Sequence, residues 1–126
     1  MPIDMKDRIA DAARRLITDK NVKKLTVKDI VNECHITRQA FYYHFESIPD
    51  LFRWTLEREM QKILQEMRAQ ETPEKGMRYF FLVVLNAAPY IKKGMQSNYR
   101  EEFTQLMIQY VYRFFEQRID PRPNSG

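Results

Sequence analysis

The residues best suited to chemistry lie in one short stretch, ITRQAFYYHF, at residues 36–45. On a helical wheel with 100° per residue, Arg38, Gln39, Tyr42 and Tyr43 share one arc. Each of these side chains can donate a hydrogen bond, and the stretch contains no acid. Arginine can fork onto guanine, glutamine can pair with adenine, and tyrosine hydroxyls suit phosphate oxygens. The arc therefore predicts a helix that contacts DNA in the major groove.

The opposite arc of the same helix is apolar. It holds Ala40, Phe41 and Phe45, with His44 at its margin, and we expect the two phenylalanines to pack on the preceding helices. A second reading stays open at this point, because two exposed tyrosines on a surface helix can also pack against the next helix.

No other constellation indicates catalysis or metal binding. Cys34 and His35 are adjacent in sequence, so their side chains diverge at a helix end, and no third residue orients them. Cys34, His35 and His44 match no standard metal spacing, and there is no glycine-rich phosphate loop. We predict no enzyme activity, no metal and no cofactor.

The composition is that of a soluble, core-forming chain of 126 residues, 44% hydrophobic and 30% charged. A net charge of +4 permits an acidic partner, but the charge is spread evenly along the chain, so any DNA argument rests on local arrangement. The single cysteine is typical of a reducing compartment. No apolar run approaches the roughly 20 residues of a bilayer span, and the N-terminus does not resemble a signal peptide. We expect a cytoplasmic protein without membrane contact.

The elements that must position the donor arc are helices. Apolar residues at spacings of three and four predict a first helix from a cap at Asp4 to about Thr18. Thr26, with Asp29 three residues on, predicts the cap of a two-turn helix that ends near Cys34. Thr37 then caps the arc-bearing helix over residues 38–45. Two short helices separated by about three residues are typical of a helix-turn-helix.

Three further helices are predicted beyond this motif. One begins at Ser47 or Ile48 and runs to about Gln70, and the next starts at Thr72-Pro73-Glu74. Pro89 is expected to end or kink that helix. Asn98 and Glu101 resemble a capping pair for a last helix that ends near Ile119. The predicted fold is all-α, with a three-helix DNA-binding head containing the helix-turn-helix (residues 1–50), a short helical body (51–120) and a flexible tail (121–126).

The stretch TVKDIVNECHITRQAFYYHFESIPDLF resembles the helix-turn-helix of the tetracycline-repressor (TetR) family of transcription regulators. The most diagnostic part is Tyr42-Tyr43-His44-Phe45 followed by a helix with Leu51 and Phe52. The sequence of this stretch also resembles, more weakly, that of the subgroup of dihydroxyacetone-kinase operon activators. The resemblance covers about residues 5–55 and implies a regulator that binds double-stranded DNA.

The resemblance also implies roles for individual residues. Phosphates would be contacted or approached by Thr26, Lys28, Tyr42 and His44. Base edges or nearby phosphates would be contacted by Thr37, Arg38, Gln39 and Tyr43.

Two positions depart from the family pattern. His35 stands where the family often has a glycine in the turn, and histidine reaches positive φ less easily, so a differently shaped turn is expected. Ile48, followed by Pro49, stands where the family often has a lysine that approaches the DNA backbone. One phosphate contact is therefore expected to be missing.

The resemblance implies that the body dimerises and binds a small-molecule effector, although it is shorter than usual for the family. A homodimer is expected, since paired heads would read a palindrome. Either a ligand pocket or plain core accounts for the apolar and aromatic residues Met60, Met77, Phe80, Phe81, Tyr90, Phe103, Met107 and Tyr110. An alternative function is a helical protein–protein interaction module, or a co-regulator that acts through a regulatory protein partner with weak DNA binding.

Overall fold

The computed structural model describes residues 4–119, and within that range the chain forms α-helices and no strand. The predicted tail at residues 121–126 lies outside the described residues. In chain order the helices are α1 (Met5–Arg14), α2 (Val27–Cys34), α3 (Arg38–His44), α4 (Ile48–Ala69), α5 (Pro73–Met95) and α6 (Arg100–Ile119). The all-α prediction is confirmed, and α1, α2 and α3 form the head with its helix-turn-helix.

Hydroxyl side chains begin four of these helices. Thr26 Oγ1 accepts a hydrogen bond from the Asp29 amide at 3.1 Å, and Thr37 Oγ1 accepts one from the Ala40 amide at 3.0 Å. Ser47 and Thr72 cap the next two helices in the same way. Each cap satisfies an amide that has no partner inside its helix, which typically stabilises a helix by about 1 kcal/mol. The cap predictions at Thr26, Thr37 and Thr72 are confirmed, and so is the cap at Asp4, whose side chain accepts from the Lys6 amide at 3.0 Å. The predicted helix start at Ser47 or Ile48 is confirmed as well.

The first helix does not end abruptly at Arg14. Residues Arg15–Asp19 continue as a wider π-helical turn, and the Lys20 amide donates to the Arg15 carbonyl at 3.0 Å. The chain then runs through a connecting segment in which Leu25 is fully buried. This segment delivers Thr26 to the start of α2.

The prediction that Pro89 ends its helix is wrong, and a kink at Pro89 stays a prediction. Helix α5 continues through Pro89 to Met95. Proline has no N–H to donate to the carbonyl of Leu85, four residues earlier. Both Leu85 and Pro89 are exposed, so water can hydrate that carbonyl and the helix need not end.

The predicted capping role of Asn98 is also wrong. The Asn98 side chain is hydrogen-bonded to the backbone of Leu25, 73 residues away. Just before α6, Ser97 Oγ instead accepts a hydrogen bond from the Tyr99 amide at 3.1 Å. A cap pattern in sequence cannot reveal a partner that only the tertiary fold brings near. The corner between α5 and α6 therefore docks on the segment that leads into α2.

One hydrophobic core joins the two halves of the described chain. The buried residues of α1, α2 and α3 form a single cluster with Leu51 and Phe52 of α4 and with Phe103 of α6. The rings of Phe52 and Phe103 meet edge to face, with centroids 5.4 Å apart. The division into a head at residues 1–50 and a body at 51–120 stays a prediction, and the shared core indicates that both parts pack together.

Candidate nucleic-acid interface

The turn between α2 and α3 is closed by a residue with left-handed backbone. His35 has φ 59° and ψ 47°, and the Ile36 amide donates to the Val31 carbonyl at 3.0 Å. This is the hydrogen bond of a Schellman helix end, where glycine is the usual residue. His35 takes that conformation itself, at a cost of about 1–2 kcal/mol relative to right-handed backbone. The histidine therefore stands where the backbone would favour a glycine.

Helix α3 has one buried and one exposed face. Phe41 and Phe45 are buried in the core, whereas Arg38 and Gln39 are exposed. The exposed fraction is 50% for Tyr42 and 82% for Tyr43. The two faces predicted from the helical wheel are confirmed. An exposed face of an arginine, a glutamine and two tyrosines is rich in donors and carries no anion.

Aromatic contacts lie within this helix and connect its end to α4. Phe41 contacts both Tyr42 and Phe45, with ring centroids 5.3 and 5.9 Å apart, and Phe45 meets Trp54 of α4 at 5.8 Å. The half-buried His44 lies edge to face with Tyr43 at 5.0 Å. Edge-to-face pairs of this kind add about 0.5–1.5 kcal/mol beyond the burial of the rings. The donor face is thus carried on a rigid support.

Three further predicted contact residues lie at the starts of α2 and α3. Lys28 and Thr37 are exposed, and Thr26 is half-buried. The two threonine hydroxyls accept bonds from their own helices, so each keeps its proton to donate outward. A donor hydroxyl beside a lysine ammonium is the combination that suits a phosphate oxygen.

Helix α3 has a buried aromatic face and an exposed donor face, and the capped helix α2 precedes it. Residues 9–53 match the family model described as "Bacterial regulatory proteins, tetR family". The match runs from Ile9 in α1 to Arg53 in the first turns of α4. It supports a DNA-binding transcription regulator, and it includes only the first three residues of the predicted body, 51–53. No curated protein and no solved structure matches the chain.

Ile48 and Lys6 both bear on the charge near the end of α3. Ile48, at the position where the family often has a lysine, is 1% exposed and belongs to the core. The Lys6 ammonium lies 5.5 Å from the centre of the Phe45 ring and 5.9 Å from that of Trp54. Lys6 therefore places a positive charge close to the end of α3. Lys6 was not predicted as a contact residue, because no periodic pattern distinguishes it from the other basic residues of α1.

Two other cationic side chains at the edge of the head are already paired with a carboxylate. Lys20 Nζ and Arg15 Nε pair with the two carboxylate oxygens of Glu33, at 2.7 and 3.1 Å. Hydrogen bonds from Lys20 and Arg15 lower the pKa of Glu33 below its ordinary value. These pairs connect the end of α1 to α2, and they leave Lys28 and Arg38 as better candidates for DNA contact.

The arrangement of Cys34 and His35 disfavours a catalytic dyad. Cys34 is buried, and its thiol is directed to the Arg8 carbonyl at 3.7 Å, whereas His35 is exposed. Burial raises the pKa of the Cys34 thiol, so the nucleophilic thiolate is disfavoured. Among residues 4–119, no group of three or more His, Cys, Asp and Glu side chains could hold a metal ion. None of the helices in that range is both long and apolar enough to span a bilayer.

The eight residues predicted as a ligand pocket occupy different environments. Phe103 and Tyr110 are buried, and Phe80 stacks on Phe114 with ring centroids 4.5 Å apart. Phe81, by contrast, is 57% exposed. The remaining members are half-buried: Met60, Met77, Tyr90 and Met107. The pocket stays a prediction.

Two of these eight residues are tyrosines, and the pKa of each hydroxyl is raised. The Tyr110 hydroxyl donates to Glu57 Oε1 at 2.6 Å, and desolvation together with this carboxylate raises the pKa of Tyr110 to about 12. Burial raises the pKa of Tyr90 to about 12. Both hydroxyls therefore stay protonated near neutral pH.

Proposed function

We propose that the chain is a sequence-specific, cytoplasmic transcription regulator that binds a palindromic operator as a homodimer. The observation that carries the proposal is the exposed face of α3, where Arg38, Gln39, Tyr42 and Tyr43 stand over buried Phe41. The family match to residues 9–53 supports DNA binding. Major-groove base edges are the partner for an exposed, acid-free helix face with arginine and glutamine donors.

Within this proposal the residues divide into two groups. Arg38 and Gln39, at the start of α3, read base edges, with Thr37 and Tyr43 on base edges or adjacent phosphates. The phosphate backbone is contacted by Thr26, Lys28, Tyr42 and His44. Phosphate contacts fix the register of the head on the duplex, whereas base contacts supply the sequence preference.

The test is selection of duplex DNA from a random-sequence pool by the full chain, followed by affinity measurements at two salt concentrations. A dimer making six or more phosphate contacts should lose about a thousandfold in affinity between roughly 50 and 200 mM salt. A scrambled duplex of equal length serves as the control. Absence of an enriched sequence, or an affinity that does not respond to salt, would contradict the proposal.

The dimer is proposed on an exposed apolar surface of α5 and α6. On α6, Ile108, Val111, Tyr112 and Phe115 recur at spacings of three and four, which places them on one face. On α5, the surface includes the exposed Phe81, Leu82, Val84 and Leu85. We call these eight residues the α5–α6 surface.

Aromatic contacts between α5 and α6 show how the two helices that carry this surface pack together. Phe80 stacks on Phe114 near one end of the helix pair, and Tyr90 meets Phe103 at 6.2 Å near the other. The helices are therefore antiparallel, and Phe81 and Phe115 each adjoin a ring of the central stack. The exposed fractions of the eight side chains run from 39% to 69%, and each partner of a stable complex typically buries roughly 800 Å².

A second copy of the chain is the proposed occupant, because two-fold pairing would cover both stripes and present two heads to a palindrome. We expect Leu85→Glu to raise the dimer dissociation constant by at least a hundredfold, because each dimer would then bury two uncompensated carboxylates. Sedimentation over a concentration series measures this, with exposed Asn86→Glu as the charge-matched control. A wild-type chain that stays monomeric at high micromolar concentration would contradict the proposal and favour a different protein as partner.

Response to an effector remains part of the proposal. The body is rich in half-buried methionine and aromatic side chains, which can rearrange around an apolar molecule. A regulatory protein partner on the body is the alternative source of control.

A further inference from the structure

The corner between α5 and α6 is fastened to the head by an asparagine. The Leu25 amide donates to Asn98 Oδ1 at 2.8 Å, and Asn98 Nδ2 donates to the Leu25 carbonyl at 3.0 Å. The Asn98 amide itself donates to the Lys23 carbonyl at 3.0 Å. One residue of the body thus satisfies both backbone groups of Leu25, as a neighbouring β-strand would.

A lysine of the same corner makes a second attachment. Lys93 Nζ donates to the Thr18 carbonyl at 2.8 Å and to Asn21 Oδ1 at 2.5 Å. Asn21 has left-handed backbone with φ 54° and lies two residues after the π-helical turn, near the start of the connecting segment. The body therefore holds this segment near both of its ends.

The segment leads directly into the DNA-binding part of the head. Leu25 is followed by Thr26, whose hydroxyl caps α2 through the Asp29 amide, and Lys28 lies in the first turn of that helix. Groups that contact phosphates must be placed to within a fraction of an ångström for their hydrogen bonds to form. The position of Thr26 and Lys28 consequently depends on how firmly Leu25 is held.

We propose that Asn98 is a positioning residue for DNA binding, which acts on phosphate contacts at the start of α2 through the backbone of Leu25. This inference rests on the proposed function, and it adds the route by which the body controls that site. Any partner or ligand that displaces the α5–α6 corner would release Leu25 and weaken DNA binding. Neither Asn98 nor Lys93 touches the DNA in this arrangement.

The first test removes the amide group. We expect Asn98→Ala to speed hydrogen exchange at the Leu25 amide by about tenfold, the effect of losing one to two net hydrogen bonds. Affinity for the duplex selected by the wild-type chain should fall about three- to tenfold. Gln96→Ala, which truncates an exposed amide in the same corner, is the matched control and should change neither quantity. Circular dichroism establishes that each variant is folded.

A second variant separates the two hydrogen bonds. Asn98→Asp keeps an acceptor for the Leu25 amide but cannot donate to the Leu25 carbonyl. We expect it to retain most of the exchange protection and to lose part of the affinity. If Asn98→Ala does not fold, Asn98→Asp is compared with the wild type and with Gln96→Ala in its place.

A double-mutant cycle distinguishes positioning from general stability. If Asn98 acts through α2, the loss caused by Lys28→Ala should be smaller in the Asn98→Ala background than in the wild type. The loss caused by Arg38→Ala, on α3, should be nearly the same in both backgrounds. Additive losses in both cycles, or an unchanged affinity of folded Asn98→Ala, would overturn the assignment and leave the proposed function standing. A wild-type chain that binds no duplex at all would overturn both.

Discussion

Replacing Phe103 by alanine is expected to lower the free energy of unfolding by about 3–5 kcal/mol. Phe103 is 1% exposed, and its ring lies edge to face with Phe52 of α4. Gly94 of α5 lies against the same ring, because a Cβ built on Gly94 would come within 2.7 Å of it. No smaller residue can fill the space between three helices, so truncation would leave a cavity.

The size of this effect follows from what Phe103 connects. It is the one residue of α6 in the buried cluster that contains the cores of α1, α2 and α3, as far as the described residues show. Its removal should loosen the contact between head and body as well as the packing of α6. A chain of this size has a total stability of roughly 5–15 kcal/mol, so the variant would approach the unfolding threshold.

Urea unfolding monitored by circular dichroism and by the fluorescence of Trp54 measures this prediction. Trp54 is the single tryptophan, and it packs on Phe45 of the head. In the wild type both probes should give one transition, because head and body share a core. Phe103→Leu, which keeps most of the apolar volume, should cost about 1–2 kcal/mol.

Tyr43→Ala is the control, since it removes another aromatic ring at a position 82% exposed. It should change stability by about 0.5 kcal/mol or less. A loss of less than 1 kcal/mol for Phe103→Ala would mean that the head is stable without the body.

The sequence predicted the head in more detail than the body, and the reason is the range of the interactions. Thr26 and Thr37 cap amides three residues away, so their roles are readable from local spacing. The faces of α3 follow from helical periodicity, and burial of Phe41 bears this out. Local rules suffice where a helix begins or where one face must be buried.

Long-range interactions were not predictable in the same way. Asn98 has the residue type and spacing of a cap, yet its amide bonds to a backbone 73 residues away. Pro89 has the residue type that usually ends a helix, but α5 continues through it at an exposed position where water can hydrate the freed carbonyl. The placement of Lys6 beside Phe45 depends on how α1 packs against α3 and α4, which no single-sequence pattern contains.

The exposed apolar residues of α5 illustrate a related difficulty. Their spacing indicates a face to be buried, and the sequence alone cannot say whether the same chain or another copy buries it. The structure leaves Phe81 and Leu85 exposed at 57% and 69%. Patches of this extent are rare on monomeric soluble proteins, which is why the dimer proposal is attached to them.

The sharpest test of the DNA proposal compares two cations of the head. Arg38→Ala is expected to weaken binding of the selected duplex by about 5- to 150-fold, or about 1–3 kcal/mol, because a base-reading fork is lost. The Arg38→Ala variant should discriminate less between bases at one position of each half-site. Lys28→Ala should weaken selected and scrambled duplexes by similar factors and reduce the slope of log affinity against log salt by about 1 for each phosphate contact removed.

The comparison is informative because the two variants remove the same unit of charge. Both side chains are exposed and on helices adjoining one turn, so a purely electrostatic interface would respond equally to either change. Competition binding with single-base variants of the selected duplex measures the preference at each position. If Arg38→Ala lowered all affinities uniformly, like Lys28→Ala, then α3 would lie along the phosphate backbone and the sequence preference would have to come from Gln39 or Tyr43.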